Sequence, residues 1–595
     1  MADLINIKIN GINCQVEEGA TILEAARANN IRIPTLCWLK GLNEIGACRI
    51  CVVEKTWARS LVAACVYPIS KADEGCEIKT HSKRVLESRK TTLELLLSDH
   101  EQKCLSCSRS GYCELQDLCK ELGVENADRF GGEKNKYDID NSSVSLFRDN
   151  NKCISCRRCV SMCNNVQGIG VIGGNKRGFK TEVACAFNMD LNATACVSCG
   201  QCINVCPTGA LSEKDDTAAV WDALNDPEKV VMVQTAPAVR ASLGEHFGVA
   251  MGTPVEGKMA TALKMLGFKN VFDTNFGADL TIMEEAAELL ERIKKSSDGG
   301  GAGSALPMIT SCSPGWVRFC EAYYPELLPN LSSCKSPQQM TGAIIKTYFA
   351  EKNNIDPKNI VSVSVMPCVA KKYELTRINQ SGAGKDLQDV DFSITTRELA
   401  KMIDKAGIRF AELPDGEFDS PLGKGSGAAV IFGATGGVME AALRTAVWKL
   451  TGETPESPID FKEVRGTGGI KIADFNVGGK EIKVAVASGL ANARELLEKV
   501  KKNEVKVDFI EIMACPGGCV NGGGQIIAKS DVRNFTDIQA ERAKALYNLD
   551  ESRTARKSHE SPDIKTVYED FLGEPGGHKA HELLHTSYRA SNLSK

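Results

Sequence analysis

The sequence predicts a multidomain protein in which several small α+β modules precede one large α/β domain, and three observations predict it. A chain of 595 residues is too long for a single hydrophobic core. Nineteen of its 25 cysteines fall into short, regularly spaced groups, 15 of them before residue 210. Beyond about residue 216 cysteines become sparse, and apolar runs at 230–233 and 360–365 alternate with amphipathic stretches such as 283–293. The divisions expected are 1–80, 81–137, 138–215 and 216–595.

Composition narrows the chemistry. With 72 basic and 76 acidic residues and a net charge of −4, the chain has no cationic footprint for nucleic acid. It has no apolar run long enough to span a membrane, and Met1-Ala2-Asp3-Leu4 does not open a signal peptide, so a cytoplasmic location is expected. Cysteines in such a protein read as metal ligands rather than disulfides, because cytosolic thiols stay reduced. Cys14, Cys76, Cys119, Cys185, Cys320 and Cys334 stand outside the groups and read as small core residues.

Residues 1–80 begin with alternating Ile5, Ile7 and Ile9 and then Asn10-Gly11, a hairpin signal. Thr21-Ile22-Leu23-Glu24 matches a capping box and predicts a helix over 22–29. Cys37, Cys48, Cys51 and Cys65 follow. Hairpin, helix and this cysteine spacing resemble a plant-type ferredoxin domain, in the variant found in large hydrogenases and the large subunit of complex I. The resemblance implies one 2Fe-2S cluster, with a zinc site as the alternative.

In 81–137, His100 precedes Cys104, Cys107 and Cys113. One His and three Cys could hold zinc on composition alone. The position after the ferredoxin-like module resembles the 4Fe-4S domain with one His and three Cys ligands of the same two families. In 138–215 the run Cys153, Cys156, Cys159, Cys163 is repeated as Cys196, Cys199, Cys202, Cys206 and closed by Pro207. This doubled spacing is that of bacterial-type 2x(4Fe-4S) ferredoxins, in which the fourth cysteine of each run serves the other cluster. One cluster then takes Cys153, Cys156, Cys159 and Cys206, and the other Cys196, Cys199, Cys202 and Cys163. Three accessory 4Fe-4S clusters are expected in all.

Gly168 to Gly173 formally fits GxGxxG but lies between the cysteine runs instead of opening a βαβ unit, so it reads as accidental, and no P-loop is present. Any coupling to NAD(P) therefore needs a partner subunit carrying flavin.

The large domain carries Thr310-Ser311-Cys312-Ser313-Pro314-Gly315-Trp316, Met366-Pro367-Cys368 with Lys371 and Glu374, and Glu511 through Cys515 and Cys519 to Gln525. Residues 273–279 and 431–440 fit the same pattern, and the Ser- and Gly-rich stretch 296–304 reads as a flexible surface loop. Over almost its full length the chain resembles an iron-only (FeFe) hydrogenase of the large multi-cluster type, similar to the catalytic subunits of electron-bifurcating hydrogenases.

That resemblance implies an H-cluster, a 4Fe-4S cube bridged by a cysteine to a diiron centre with CO, CN and dithiolate ligands. Cys368, Cys515 and Cys519 carry over as ligands, Cys519 at the bridge. The family has two adjacent cysteines in the first loop, a proton relay and then a cube ligand. Here they align with Cys312 and Ser313, and serine is a poor iron-sulfur ligand. Either Cys312 shifts into the ligand role, the expectation favoured here, or the cube is altered.

Lys371 would donate to a cyanide, while Ala236, Pro237, Gln338, Met366 and Met513 would line the pocket, a role that ordinary core packing would also explain. The family's proton route maps to Glu285, Ser332, Glu288 and Arg292. Three of these share one helix face at i, i+3 and i+7, a pattern that an exposed charged helix would also produce.

The implied activity is reversible oxidation of H2 to protons and electrons, with ferredoxin and/or a flavin NAD(P)-binding subunit as electron partner and maturation proteins delivering the diiron centre. The alternative is a catalytically weak hydrogen sensor or an electron-conducting subunit. A complex I large subunit would explain only the amino-terminal third.

Overall fold

The computed structural model describes residues 4–298, 303–452, 461–477 and 480–592. The amino-terminal module is a five-stranded sheet in the order β2-β1-β5-β3-β4. Its strands are β1 (Leu4–Ile9), β2 (Ile12–Glu17), β3 (Val52–Lys55), β4 (Val62–Ala63) and β5 (Glu77–Lys79). β1 and β2 form the expected hairpin, Ile9 opposite Ile12, and Asn10 and Gly11 both take the positive φ that a tight two-residue turn requires, 51° and 83°. Ile5, Ile7 and Ile9 point inward, at most 2% exposed. The helix Ile22–Ala28 carries the capping box of Thr21 with Glu24.

Next come the helices Lys83–Ser98 and Glu114–Glu121 and two small antiparallel ladders. β6 (Leu146–Arg148) pairs with β9 (Leu211–Glu213), and β7 (Gly173–Asn175) with β8 (Glu182–Ala184). The cysteine repeat is also a backbone repeat. In the first run Ser155 and Arg157 are left-handed at φ 53° and 61°, and in the second Ser198 and Gly200 at 57° and 70°. Each pair turns successive N–H groups toward the thiols, a concavity suited to a negatively charged group.

The large domain holds two four-stranded sheets. In one, β10 (Val230–Thr235), β11 (Asn270–Asp273), β13 (Ile360–Met366) and β14 (Phe392–Thr395) are all parallel, in the order β11-β10-β13-β14. The other runs β12-β17-β16-β15, from β12 (Met308–Ile309), β15 (Ile470–Val477), β16 (Lys480–Ser488) and β17 (Phe509–Met513), and only the edge strand β15 is antiparallel. Strands covered on both faces read as continuous apolar runs, which is why 230–233 stands out in the sequence, while in 360–365 Ser362 and Ser364 are as fully buried as Val363.

The helix Asn275–Ser297 packs against Gly437–Thr451 and Pro337–Ile344. It is not an exposed charged helix, since Glu285 is 1% and Arg292 6% exposed. It runs up to the Gly-rich loop expected over 296–304, whose residues 299–302 lie outside the described residues. All 25 cysteines are free. Of the six read as core, Cys14, Cys76, Cys185, Cys320 and Cys334 are buried, whereas Cys119 is half-buried. Among the described residues no helix is long and apolar enough to cross a membrane.

Candidate metal centre

Four loops leave the carboxyl ends of parallel strands and meet between the two sheets. Ala236-Pro237 follows β10, Pro367-Cys368 follows β13, Ser311-Cys312-Ser313 comes just after β12, and Ala514 to Cys519 follows β17. The crevice beyond strand carboxyl ends is where open α/β sheets hold ligands. Here it is a cavity of about 830 Å³. Cys312, Ser313, Cys368, Cys515, Cys519 and Lys371 line it together with Ala236, Pro237, Gln338, Met366 and Met513. The structure thus gathers on one cavity residues that the sequence separates by up to 283 positions, from Ala236 to Cys519.

The thiols here are held above their ordinary range, first by burial. Cys519 is pushed up to about 12, with Cys368 adding to the effect. Cys515 is raised by burial and then by Cys368 and Cys519. Cys312 is raised by burial and then by Glu285 and Cys519, while Lys371 works the other way. So many thiols, desolvated and crowding one another, would be costly as anions without a cation among them, which is the donor set of a metal cluster. Backbone clearance fits as well. Gly518 has φ +93°, and a Cβ there would meet the Thr435 amide nitrogen at 2.6 Å.

Cys312 and Ser313 face different neighbours. The Cys312 thiol feels the charges of Glu285, Cys519, Lys371 and Glu511. The Ser313 hydroxyl instead accepts the Ala514 N–H at 3.4 Å, beside Cys515. Lys371 Nζ donates to Glu374 Oε2 at 2.9 Å and to the Cys312 carbonyl at 3.3 Å. Ser336 Oγ (2.9 Å) and Gln338 Nε2 (3.0 Å) complete the hold on Glu374. Deeper in, Glu511 accepts the Gly436 and Met439 N–H groups at 2.7 Å each, which explains why an acid precedes this motif and a Gly pair opens the helix Gly437–Thr451.

A line of polar groups leads away from Cys312. The Glu285 carboxyl is buried, with the Ser332 hydroxyl and the Ser311 backbone as its polar neighbours. Burial, and then Glu288, push this carboxyl up to about 8. Ser332 Oγ donates to Glu288 Oε2 at 2.8 Å, and Arg292 Nη2 donates to Glu288 Oε1 at 2.6 Å. All four residues assigned to the route are therefore neighbours.

On the opposite side, Cys199 lines the cavity and its thiol feels both Cys202 and Cys515. Cys153, Cys156, Cys159 and Cys206 line a second hollow of about 430 Å³. Cys163 packs with Cys202 in one apolar cluster, and Cys196 lies against it. His100, Cys104, Cys107 and Cys113 share a third hollow, where buried His100 Nδ1 has no hydrogen-bond partner. Cys119 lines that hollow too, a neighbour that spacing did not reveal. In the first module Cys51 and Cys65 sulfurs stand 3.3 Å apart, and the Cys48 N–H meets Cys37 Sγ at 3.5 Å.

The carboxyl-terminal segment was not separated from the large domain on sequence grounds. Its helices Ile538–Ser552 and His578–Leu584 pack back on that domain. His585 there reaches Ser333 and Glu284 at 2.8 and 3.1 Å. His578 and His581 precede it at helical spacing, and the His581 ring stacks on His585 at 4.4 Å, but no assigned motif includes them.

Comparison with known proteins gives five matched stretches along the chain. Residues 2–83 match a 2Fe-2S iron-sulfur cluster binding domain, 89–128 the NADH-ubiquinone oxidoreductase-G iron-sulfur binding region, and 152–210 a 4Fe-4S dicluster domain. Residues 229–523 match the iron only hydrogenase large subunit, C-terminal domain, and 536–591 the iron hydrogenase small subunit. An NADP-reducing hydrogenase subunit of Solidesulfovibrio fructosivorans is 51% identical over 98% of this chain and 99% of its own. Iron hydrogenase 1 of Clostridium pasteurianum is 46% identical over 98% of this chain and 99% of its own. A solved FeFe hydrogenase of Chlamydomonas reinhardtii aligns at a TM-score of 0.56 and 45% identity, covering 63% of this chain and 99% of that one. The chain belongs to the iron-only (FeFe) hydrogenase family.

Proposed function

We propose that the chain is the catalytic subunit of a cytoplasmic hydrogenase that interconverts H2 with protons and electrons. The observation that carries this reading is the convergence of Cys312, Cys368, Cys515 and Cys519 with Lys371 on one cavity that also touches Cys199. When bound there, an H-cluster supplies the open metal position and the bridgehead amine that split H2.

The residues divide the remaining work. Cys368, Cys515 and Cys519, which line the cavity, would hold the metal group. Ser313 would take the fourth cube corner and Cys312 the proton relay, whereas the sequence expectation favoured Cys312 as the ligand. What supports this assignment is that the Ser313 hydroxyl accepts the Ala514 N–H beside Cys515, while Cys312 lies in the field of Glu285. Lys371 offers its ammonium to an anionic ligand, while Ala236, Pro237, Gln338, Met366 and Met513 keep water out.

Protons leave from Cys312 to Glu285 and onward by Ser332 and Glu288 past Arg292. A carboxyl poised near pH 8 can both accept and release one under working conditions.

Cys163, Cys196, Cys199 and Cys202 would hold the iron-sulfur cluster nearest the cavity, and Cys153, Cys156, Cys159 and Cys206 a second. His100 with Cys104, Cys107 and Cys113 would hold a third, and Cys37, Cys48, Cys51 and Cys65 a 2Fe-2S cluster, the set together supplying a path for electrons. Ferredoxin and/or a flavin-bearing NAD(P)-binding subunit receives them, the latter supported by the NADP-reducing relative.

The test is infrared spectroscopy of the matured protein where metal-bound CO and CN absorb, with hydrogen uptake on the same sample. Bands with turnover support the reading. Bands without turnover favour the sensor, and no bands after verified maturation reduce the chain to an electron carrier.

A further inference from the structure

Cys334 and His585 face each other across a single antiparallel bridge between the segment after β12 and the carboxyl-terminal segment. The bridging bonds are Lys335 N–H to Leu584 O at 2.8 Å and Thr586 N–H to Ser333 O at 2.7 Å. They make Cys334 and His585 a non-hydrogen-bonded pair, the arrangement in which opposed side chains come closest. Glu288 reaches the same point from the helix Asn275–Ser297, its Oε2 3.8 Å from Cys334 Sγ. A thiol, an imidazole nitrogen and a carboxylate oxygen thus lie within 4.8 Å of one another. Cys334 is fully buried, and the Glu288 and His585 side chains are 13% and 6% exposed.

We propose that Glu288, Cys334 and His585 form a binding site for a soft divalent cation, zinc in the first instance, and that a cation held there stops proton transfer. One sulfur, one nitrogen and one oxygen, with a fourth position left to water, is a zinc donor set. The supporting contacts are already in place. Glu284 Oε2 holds His585 Nε2 at 3.1 Å, which leaves Nδ1, turned to the Ser333 hydroxyl at 2.8 Å, as the ligand. Glu284 is in turn fixed by the Tyr568 hydroxyl and by the Gly576 N–H at 2.9 Å, giving the carboxylate-histidine pairing that orients metal-bound imidazoles. Arg292 keeps Glu288 Oε1, so Oε2 can turn to the cation by giving up Ser332.

On binding, Cys334 releases its thiol proton to water and the cation takes the thiolate, with no change of oxidation state. The arrest of turnover rests on the proposed proton route, because a Glu288 oxygen bound to zinc cannot accept a proton from Ser332. The binding itself does not rest on that route.

The experiment uses the cluster-loaded, matured enzyme, whose cluster cysteines are occupied, and titrates it with Zn2+ alone in metal-free buffer. Bound zinc, the zinc X-ray absorption fine structure and hydrogen uptake are measured on the same samples. The expected result is zinc with one sulfur at about 2.3 Å, turnover falling as it binds, and affinity at least about 10-fold weaker in Cys334→Ser and in His585→Ala. Zinc uptake equal to that of Cys334→Ser, or a shell without sulfur, overturns the site. Zinc bound through sulfur with turnover unchanged overturns the arrest and the Glu288 route together, while the site stands.

Discussion

Arg292 closes on Glu288 from one helical turn away, Nη2 to Oε1 at 2.6 Å, while the same guanidinium donates to the carbonyls of Ala305, Pro329 and Leu331 at 3.1, 3.0 and 2.8 Å. An arginine tied in this way keeps its protons and acts as a clamp that sets the Glu288 carboxylate, not as a carrier. Arg292→Met is expected to lower hydrogen uptake by on the order of 10- to 100-fold through misplacement of Glu288. Unchanged infrared bands would show that the metal centre is not the cause.

Glu285 is the group whose protonation should set the rate profile. Its carboxyl is raised to about 8 because burial, and then Glu288, disfavour the anion. Glu285→Gln keeps the shape and removes the proton, so turnover should drop by about 100-fold or more. The inflection near pH 8 in the pH profile of the native enzyme should vanish with it. An unaltered profile in the variant would assign that step to another group.

The pair Cys312 and Ser313 is decided by iron content set against rate. Cys312→Ala should retain its iron and its CO and CN bands while losing turnover by about 100-fold. Ser313→Cys should slow iron loss to a chelator, since a thiolate is the softer and better ligand. Loss of cube iron in Cys312→Ala would instead make Cys312 the fourth ligand.

Lys371→Met leaves Glu374 charged in a buried setting with only the Ser336 hydroxyl and the Gln338 amide to answer it. Breaking a buried pair from one side costs about 3–5 kcal/mol. The variant should melt earlier and should bind the diiron centre poorly, read from melting curves and from the cyanide bands.

Asp279 gives a stability prediction with a definite sign. Burial lifts its carboxyl from an ordinary value near 3.8 to about 7, although Ser426 donates N–H at 2.7 Å and O–H at 2.5 Å. A raised folded-state value favours the fold at low pH. The contribution is full below about pH 4, declines as the unfolded chain ionises, and is gone above about pH 7. Asp279→Asn should therefore flatten the stability curve between pH 5 and 7, measured by denaturant titration of the loaded protein.

Much of this was legible in sequence, for reasons that differ by element. The hairpin at Asn10-Gly11 and the helix capped by Thr21 and Glu24 are local, so a few residues specify them. The cysteine repeat was legible because close spacing of thiols is itself the chemistry. The route residues Glu285, Glu288 and Arg292 showed their common face, but whether that face was wet depended on what packs over it, and pattern alone favoured the exposed reading that burial overturns. Cys119 and Cys334 resembled ordinary core thiols because their neighbours, His100 and Glu288, are fixed by tertiary contacts. His585 was invisible for the same reason, reaching Glu284 from 301 residues away.

The seam between the cysteine-rich modules and the catalytic domain has a consequence for electron flow. A Cβ on Gly523 would fall 2.2 Å from the Cys199 carbonyl oxygen and 2.7 Å from Gly200 Cα, so the two backbones are in direct contact there. Cys199 belongs to the proposed relay nearest the catalytic cavity, which it also lines. Tunnelling falls off exponentially with distance, and at this junction backbone meets backbone with the Val369 side chain packed beside it. The gap between a cluster held by Cys199 and the cavity would then be set by backbone packing rather than by a mobile side chain.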